Sequence, residues 1–171
     1  MAERALTIWF TGLSGAGKST LARGLSRHLT KLGCGHEVLD GDELRRTLCQ
    51  DLGFSKEDRD ENVRRIAQAA NELNRKGITA IVAAISPYRE ARARAREQCD
   101  QFVEVFVDCE LEALIQRDPK GLYRRALAGE IQKFSGVSDP YEAPEKPDIY
   151  LNSATQTEEE SLALLIAKLV L

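Results

Sequence analysis

The stretch GLSGAGKST, residues 12–20, has the residue types and spacing of a phosphate-binding loop. Gly12, Gly17, Lys18 and Ser19 match G-x-x-x-x-G-K-[ST], with a strand pattern before them and a helical pattern after them. Glycines let successive backbone N–H groups turn toward phosphate oxygens, and a helix N-terminus adds its positive dipole end. Lys18 would lie beside the β and γ phosphates, and the Ser19 hydroxyl is a hard oxygen suited to Mg²⁺. The loop therefore predicts a nucleoside triphosphate site.

Two carboxylates follow the second predicted strand, in VLDGDELRR. Asp40 and Asp42 would lie at the carboxyl end of that strand, where ligands bind in open parallel sheets. One could orient Mg²⁺-bound water, and the other could accept the proton of an acceptor hydroxyl. Arg45 would share a side of the next helix with Asp42. In the alternative without function, Asp42 is a helix N-cap and Arg45 is a solvated charge.

The third predicted helix begins with polar residues on the side that later faces the core. Ser55 would be its N-cap and Asp58 would occupy N3. Its apolar stripe, extended toward the N-terminus, meets Asn62 and Arg59, which would line a polar cavity. The alternative is an arginine that extends past the core edge to solvent. Phe54 would be either a hydrophobic staple residue or an aromatic platform for a base.

Ser86 and Pro87 follow the third predicted strand and would form the N-cap and N1 positions of the next helix. That helix N-terminus opens at the carboxyl edge of the sheet and could also face an anion. The arginines of this helix are spread around it, which is typical of a solvated surface; they are Arg89, Arg92, Arg94 and Arg96.

A basic segment follows the fourth predicted strand, with cations close to glycines and a proline. Its cations are Arg117, Lys120, Arg124, Arg125 and Lys133. Such a run is either a solvated surface or a cap over a polyanion, on a segment that can open and close. The Pro- and Gly-rich stretch 135–148 favours the second interpretation, a mobile lid over roughly 117–147.

The elements that must position these residues alternate between strand and helix patterns. We predict strands over 6–11, 36–40, 78–85, 102–108 and 148–152, and helices over 18–32, 42–49, 56–76, 88–100, 111–128 and 158–170. Thr157 and Glu160 would form a capping box on the last helix. This alternation predicts an α/β three-layer sandwich with a central parallel five-stranded sheet and helices on both faces. Together with the motif at residues 12–20, it predicts a sandwich of the P-loop NTPase type with a mobile lid.

The composition restricts the partners. The 171 residues fit one domain, 1–171. A net charge of -3 gives no general attraction to nucleic acid or to a membrane surface. Without a targeting signal or a long apolar run, we expect a cytoplasmic protein. The four cysteines have no metal-binding spacing, and we expect reduced, packed thiols.

Together, these motifs resemble the adenylylsulfate kinase (APS kinase) family over nearly the whole chain. The resemblance rests on GLSGAGKST (12–20), LDGDELR (39–45), LGFSKEDRDENVRRI (52–66), ISPYR (85–89), RDPKGLY (117–123) and GEIQKFSGVSDPYEAPEKP (129–147). The first motif is common to many kinases, and the others together are specific. The resemblance implies transfer of the γ-phosphoryl of MgATP to the 3′-hydroxyl of adenosine 5′-phosphosulfate (APS), giving PAPS and ADP in sulfate assimilation.

The resemblance also implies the site residues. Those expected to bind ATP are Gly12, Leu13, Ser14, Gly15, Ala16, Gly17, Lys18, Ser19, Thr20 and Arg117, the last stacked on adenine. Those expected to bind APS are Asp42, Arg45, Phe54, Arg59, Asn62, Ile85, Ser86, Lys120 and Phe134, with the two phenylalanines sandwiching its adenine. The catalytic set would be Lys18, Asp40, Asp42, Lys120 and Ser86. Mg²⁺ would be held by Ser19 and, through water, by Asp40.

Ser86 matches a serine that the family's bacterial members are proposed to phosphorylate as an intermediate. We predict direct transfer instead, because an in-line displacement needs only positioning and charge stabilisation. A homodimer is expected, with small-molecule substrates and neither nucleic acid nor a membrane as partner. The alternatives are another small-molecule or nucleoside monophosphate kinase of the P-loop class, and a nucleotide-binding module within a larger sulfate-activating assembly.

Overall fold

The structure, a computed structural model, describes residues 5–169 and contains one parallel sheet. Its strands are β1 (Thr7–Thr11), β2 (His36–Asp40), β3 (Thr79–Ala83), β4 (Phe102–Asp108) and β5 (Ile149–Asn152). They are ordered β2-β3-β1-β4-β5, and all pairings are parallel. Each predicted strand overlaps an observed one, and the predicted 36–40 and 102–108 agree at both ends. The predicted parallel five-stranded sheet is confirmed.

Helices connect the strands and cover both faces of the sheet. They are α1 (Lys18–Lys31), α2 (Gly41–Leu44), α3 (Lys56–Arg75), α4 (Arg89–Gln98), α5 (Leu111–Arg117), α6 (Leu122–Leu127) and α7 (Glu158–Leu169). Residue 170, where the last predicted helix ended, lies outside the described residues.

The central strand β1 is buried on both faces, as expected for a parallel sheet between two helix layers. Because side chains alternate along a strand, Ile8 and Phe10 join the core cluster that includes α1 and α7. Trp9 faces the opposite cluster, which includes α3 and α4. This arrangement confirms the three-layer α/β sandwich.

The predicted helix over 111–128 is wrong, because the structure divides it into α5 and α6. Pro119 disfavours helical backbone in the residue before it, and Asp118 and Gly121 have positive φ angles of 22° and 67°. The Asp118 carboxylate then accepts the backbone N–H groups of Tyr123 (2.9 Å) and Arg124 (3.0 Å). The break places a short loop, 118–121, beside the phosphate-binding loop.

Two other predicted helix starts differ from the structure. The predicted helix 42–49 is the single turn α2, and its N-cap is Asp40, whose carboxylate accepts the Asp42 N–H at 3.0 Å. Ser86 is not an N-cap, because α4 begins at Arg89 with Tyr88 before it. By contrast, Ser55 caps α3 as predicted, accepting the Asp58 N–H at 3.1 Å.

No helix among residues 5–169 is both long enough and apolar enough to cross a membrane. The four cysteines have free thiols, and three of them are buried.

The capping box at α7 predicts a measurable stability contribution. The Thr157 hydroxyl accepts the Glu160 N–H at 3.2 Å, and the Glu160 carboxylate accepts the Thr157 N–H at 2.8 Å. Thr157→Ala should lower the free energy of unfolding by about 1 kcal/mol, because the Glu160 N–H loses its acceptor. Denaturant unfolding without nucleotide measures this change.

The matched control is Thr155→Ala, since Thr155 is also exposed and its hydroxyl only reaches the Asn152 carbonyl at 3.5 Å. It should change stability by less than about 0.5 kcal/mol. Equal losses in the two variants would contradict the capping role.

Candidate active site

The phosphate-binding loop joins β1 to α1 and lies directly against β4. A Cβ at Gly12 would lie 2.4 Å from the Val107 carbonyl oxygen, so no side chain fits there. Gly17 precedes α1 with φ 107°, and no side chain caps this helix. The first N–H groups of α1 are therefore available to an anion.

Lys18 is 7% exposed, and its ammonium donates to the Leu13 carbonyl at 2.8 Å. Burial lowers its pKa to about 8, since desolvation disfavours the charged form. The charges acting on it are those of Asp42, Lys120 and Asp40, so four of the five predicted catalytic residues lie near one another, and Ser86 is not among them. A polyanion bound there would raise this pKa again, because it favours the charged form of the lysine.

Ser19 and Asp40 bring two hard oxygens together. The Ser19 hydroxyl donates to the Asp40 carboxylate at 2.6 Å. Within residues 5–169, no group of three or more His, Cys, Asp or Glu side chains could hold a metal. This donor set fits Mg²⁺, which usually takes one or two protein oxygens and completes its shell with water and substrate phosphates.

An ion pair joins α2 to the loop between α5 and α6. The Lys120 ammonium lies 2.5 Å from the Asp42 carboxylate, and both side chains are more than half exposed. Exposed pairs of this kind contribute little to stability, so a bound anion can separate them.

The second predicted pocket is organised by two arginines around Phe54. Arg45 donates to the Gly53 carbonyl at 2.7 Å, and Arg59 donates to the Phe54 carbonyl at 3.1 Å. The guanidinium carbons of Arg45 and Arg59 lie 4.7 and 5.5 Å from the Phe54 ring centroid. Phe54 is nevertheless 55% exposed, which favours an aromatic platform over a staple residue.

Arg59 connects this platform to the predicted lid. It is buried, donates to the Lys133 carbonyl, and lies 3.7 Å from the Asp139 carboxylate. The alternative of an arginine that extends to solvent is therefore wrong. Phe134, next in the chain, packs edge-to-face on Tyr123 with ring centroids 5.1 Å apart.

Three buried side-chain oxygens among residues 5–169 have no hydrogen-bond partner: Asp60 Oδ1, Asn62 Oδ1 and Ser135 Oγ. The other oxygen of Asp60 accepts from Lys56, so Asn62 and Ser135 are the two whose side-chain oxygen is left without any partner of this chain. Buried polar atoms are normally paired, so an unpaired one marks a place for a ligand or water. Asn62 was predicted from its position on the α3 stripe. Ser135 was missed, although it follows Phe134 within the KFSG motif, because a serine in a loop gives no signal of its burial.

Ser86 has a structural environment unlike that of a cap. It is 3% exposed with φ 44°; its hydroxyl accepts the Trp9 indole N–H at 3.0 Å and donates to the Ala84 carbonyl at 3.0 Å. Its hydroxyl hydrogen is thus donated to a backbone carbonyl of the protein itself. The preceding Ile85 is partly buried, and its carbonyl accepts the Thr11 hydroxyl at 2.7 Å.

Arg117 lies at a cavity of about 270 Å³ between the phosphate-binding loop and the start of α7. Its guanidinium donates to the Ser153 carbonyl at 2.6 Å. Of the rest of the basic segment, Lys120 lies at the site and pairs with Asp42, whereas Arg125 pairs with Glu130 at the surface.

Comparisons with known proteins agree with this geometry. A family model described as adenylylsulphate kinase matches residues 4–152. An adenylyl-sulfate kinase of Synechococcus sp. strain JA-3-3Ab is 52% identical over 99% of this chain and 96% of its own. A probable bifunctional SAT/APS kinase 2 of Sorangium cellulosum strain So ce56 is 56% identical over 95% of this chain. The matched region is 28% of the length of that relative. The solved Mycobacterium tuberculosis APS kinase CysC, in complex with AMPPNP and APS, superposes with a TM-score of 0.94 at 44% identity, covering 98% of this chain and 99% of that one.

The lowered pKa of Lys18 predicts a pH dependence of ATP binding. Bound phosphates favour the ammonium, so the pKa rises again in the complex. The affinity should be full below pH 8 and should fall as the pH rises above it, by up to about tenfold per pH unit. Calorimetric titration with ATP on both sides of this value measures the slope.

The control is Lys18→Arg, whose guanidinium stays charged throughout this range. Its affinity should be lower but independent of pH. The same slope in Lys18→Arg would contradict the assignment to Lys18.

Proposed function

The chain belongs to the adenylylsulphate kinase family, and from this premise we propose how its residues divide the reaction. The activity is that of an ATP-dependent adenylyl-sulfate kinase, which transfers the γ-phosphoryl of ATP to the 3′-hydroxyl of APS and forms PAPS and ADP in sulfate assimilation. The observation that supports the residue assignment is the Asp42–Lys120 pair, because both of its charges act on Lys18 of the phosphate-binding loop and the Asp42 carboxylate also acts on Arg45, beside Phe54.

ATP is assigned to the loop 12–20 and the neighbouring cavity. The loop N–H groups, Lys18 and the α1 N-terminus would hold the β and γ phosphates. The adenine would enter the cavity of about 270 Å³, with the Arg117 guanidinium against its face.

Mg²⁺ is assigned to Ser19 and, through water, to Asp40. When bound, it would neutralise part of the charge that develops on the phosphoryl oxygens. The hydrogen bond from Ser19 keeps the Asp40 carboxylate turned toward the phosphate-binding loop.

APS is assigned to the pocket around Phe54. The exposed Phe54 ring and Phe134 would enclose its adenine, and Arg45 and Arg59 would supply positive charge for the phosphosulfate. Two further contacts are assigned to the unpaired oxygens of Asn62 and Ser135. Ile85 and Ser86 would form the opposite wall, with the Ser86 hydroxyl already engaged by Trp9 and Ala84.

The transfer is assigned as a direct in-line displacement. Asp42 accepts the proton of the APS 3′-hydroxyl as this oxygen attacks the γ-phosphorus. Lys18 and Lys120 stabilise the negative charge that develops on the transferring group. Lys120 must leave Asp42 for this step, which the exposure of the pair permits.

Four further assignments come from the sequence analysis. The chain forms a single kinase domain over 1–171, and the lid over roughly 117–147 closes on the substrates. The break between α5 and α6 gives that lid a place to bend. A homodimer and a cytoplasmic location remain predictions.

The test of the acceptor is transfer of radiolabelled γ-phosphate from ATP to APS, compared with AMP, CMP and gluconate. Label should appear in a product of APS and only weakly in the others. Asn62→Ala should raise the KM for APS about tenfold to a hundredfold, because its buried oxygen would bond a substrate, and should leave the KM for ATP within about twofold.

The matched control is Gln68→Ala, an exposed amide on the same helix, which should change neither KM. Label in AMP or gluconate rather than APS would favour another P-loop kinase. A rise in the KM for ATP alone in Asn62→Ala would show that the two pockets are assigned in reverse.

Ser86 predicts the course of the transfer. Ser86→Ala should retain substantial activity, because its hydroxyl is committed to internal hydrogen bonds. It should lower the free energy of unfolding by about 1–3 kcal/mol, since the buried Trp9 N–H loses its acceptor. With a chiral γ-phosphorus, a single direct transfer inverts the configuration. Retention, together with a folded but inactive alanine variant, would contradict direct transfer.

A further inference from the structure

A buried polar cluster connects α4 with β4, with the end of β1 and with the loop that carries Ile85 and Ser86. Its central residue is Arg92, which the sequence placed on a solvated surface but which is 2% exposed. Burial lowers the pKa of the Arg92 guanidinium and raises that of the Glu104 carboxyl, whose oxygen lies 3.4 Å from Arg92 Nε. A buried ion pair costs desolvation, so it contributes little net stability compared with an apolar pair.

Arg92 uses its other two nitrogens to join two segments that are distant in sequence. Nη1 donates to the Ser86 carbonyl at 2.7 Å, and Nη2 donates to the Glu142 carbonyl at 2.5 Å. We define the first segment as the 85–87 loop and the second as the 141–143 segment. The first contains two residues assigned to APS, and the second lies within the C-terminal part of the assigned lid.

Other contacts fix the same two segments. The Glu142 N–H donates to the Pro87 carbonyl at 2.8 Å, and Arg89 donates to the Glu142 carboxylate at 3.0 Å and the Ala143 carbonyl at 2.8 Å. The Thr11 hydroxyl bonds both the Tyr141 hydroxyl (2.8 Å) and the Ile85 carbonyl (2.7 Å). Thr11 precedes Gly12, so the cluster also reaches the start of the phosphate-binding loop.

The 85–87 loop needs such support because Ser86 has φ 44°, a left-handed conformation that a non-glycine residue adopts only when its surroundings hold it there. A planar guanidinium with several donors can bind two carbonyls and a carboxylate at fixed angles, which a lysine cannot do.

We propose that Arg92 is a positioning residue for the acceptor: it sets the 85–87 loop against the 141–143 segment and so fixes the wall of the APS pocket without touching either substrate. This rests on the proposed APS pocket. It also places the C-terminal hinge of the lid before Tyr141, since the 141–143 segment is held to α4.

The test is a paired variant, Arg92→Met with Glu104→Gln, which removes both buried charges together and leaves neither uncompensated. The KM for APS should rise about tenfold or more, because a small displacement of the pocket wall misplaces the acceptor. The KM for ATP should stay within about twofold. Arg92→Lys retains a cation opposite Glu104 but cannot bind both carbonyls, so its KM for APS should be intermediate.

The matched control is Arg94→Met, on the same helix, because Arg94 is exposed and pairs with Glu90. It should change neither KM. If the paired variant gives no cooperative unfolding transition, Arg92→Lys serves as the test instead. Its KM for APS should rise, and its KM for ATP should stay within about twofold.

A folded paired variant in which both KM values are unchanged, or in which both rise equally, would overturn the positioning role. This outcome differs from failure of the proposed function, in which the unaltered protein would bind ATP but would not phosphorylate APS.

Discussion

The close contact between Gly12 and the Val107 carbonyl is the constraint on which the site depends. Because a Cβ would lie 2.4 Å from that oxygen, only glycine lets the chain leave β1 this close to β4. The loop can then curve over the sheet edge and present Lys18 and Ser19 at the start of α1. The residue before the contact, Thr11, binds the Ile85 carbonyl and the Tyr141 hydroxyl. Two consecutive residues, Thr11 and Gly12, thus connect the end of β1 to the wall of the assigned APS pocket and to the phosphate-binding loop.

Two buried cations and a half-buried one would give this edge of the sheet a preference for anions. Burial lowers the pKa of Lys18, Arg45 and Arg59 because each cation has lost part of its hydration. Carbonyl oxygens of Leu13, and of the segments that flank the pocket, compensate for only part of that loss. A polyanionic substrate would interact favourably with these cations. Binding would therefore offset part of the free energy that their desolvation costs the folded protein. The local arrangement, and not the net charge of -3, determines what binds.

The sequence predicted the parts of the fold and site that depend on local patterns. The strands, the phosphate-binding loop and the Ser55 cap follow from periodicity and from spacing over a few residues. Ser86 and Arg92 were misassigned because their environments are long-range: one is held by Trp9 from β1, and the other by a carboxylate from β4. A Ser-Pro pair or an alternating Ala-Arg run has the same local appearance whether it is buried or exposed. Ser135 was missed for the same reason.

The Asp42–Lys120 pair would determine when the proton acceptor of the proposed reaction becomes available. In the structure, the Lys120 ammonium lies 2.5 Å from the Asp42 carboxylate and balances its charge. In the proposed reaction, bound γ-phosphate would carry more negative charge than a single carboxylate and would compete for Lys120. Asp42 would then be released when a phosphoryl group is present to be transferred. Since the pair is exposed and weak, this exchange would cost little, and the acceptor hydroxyl would meet an unpaired carboxylate only in the loaded site.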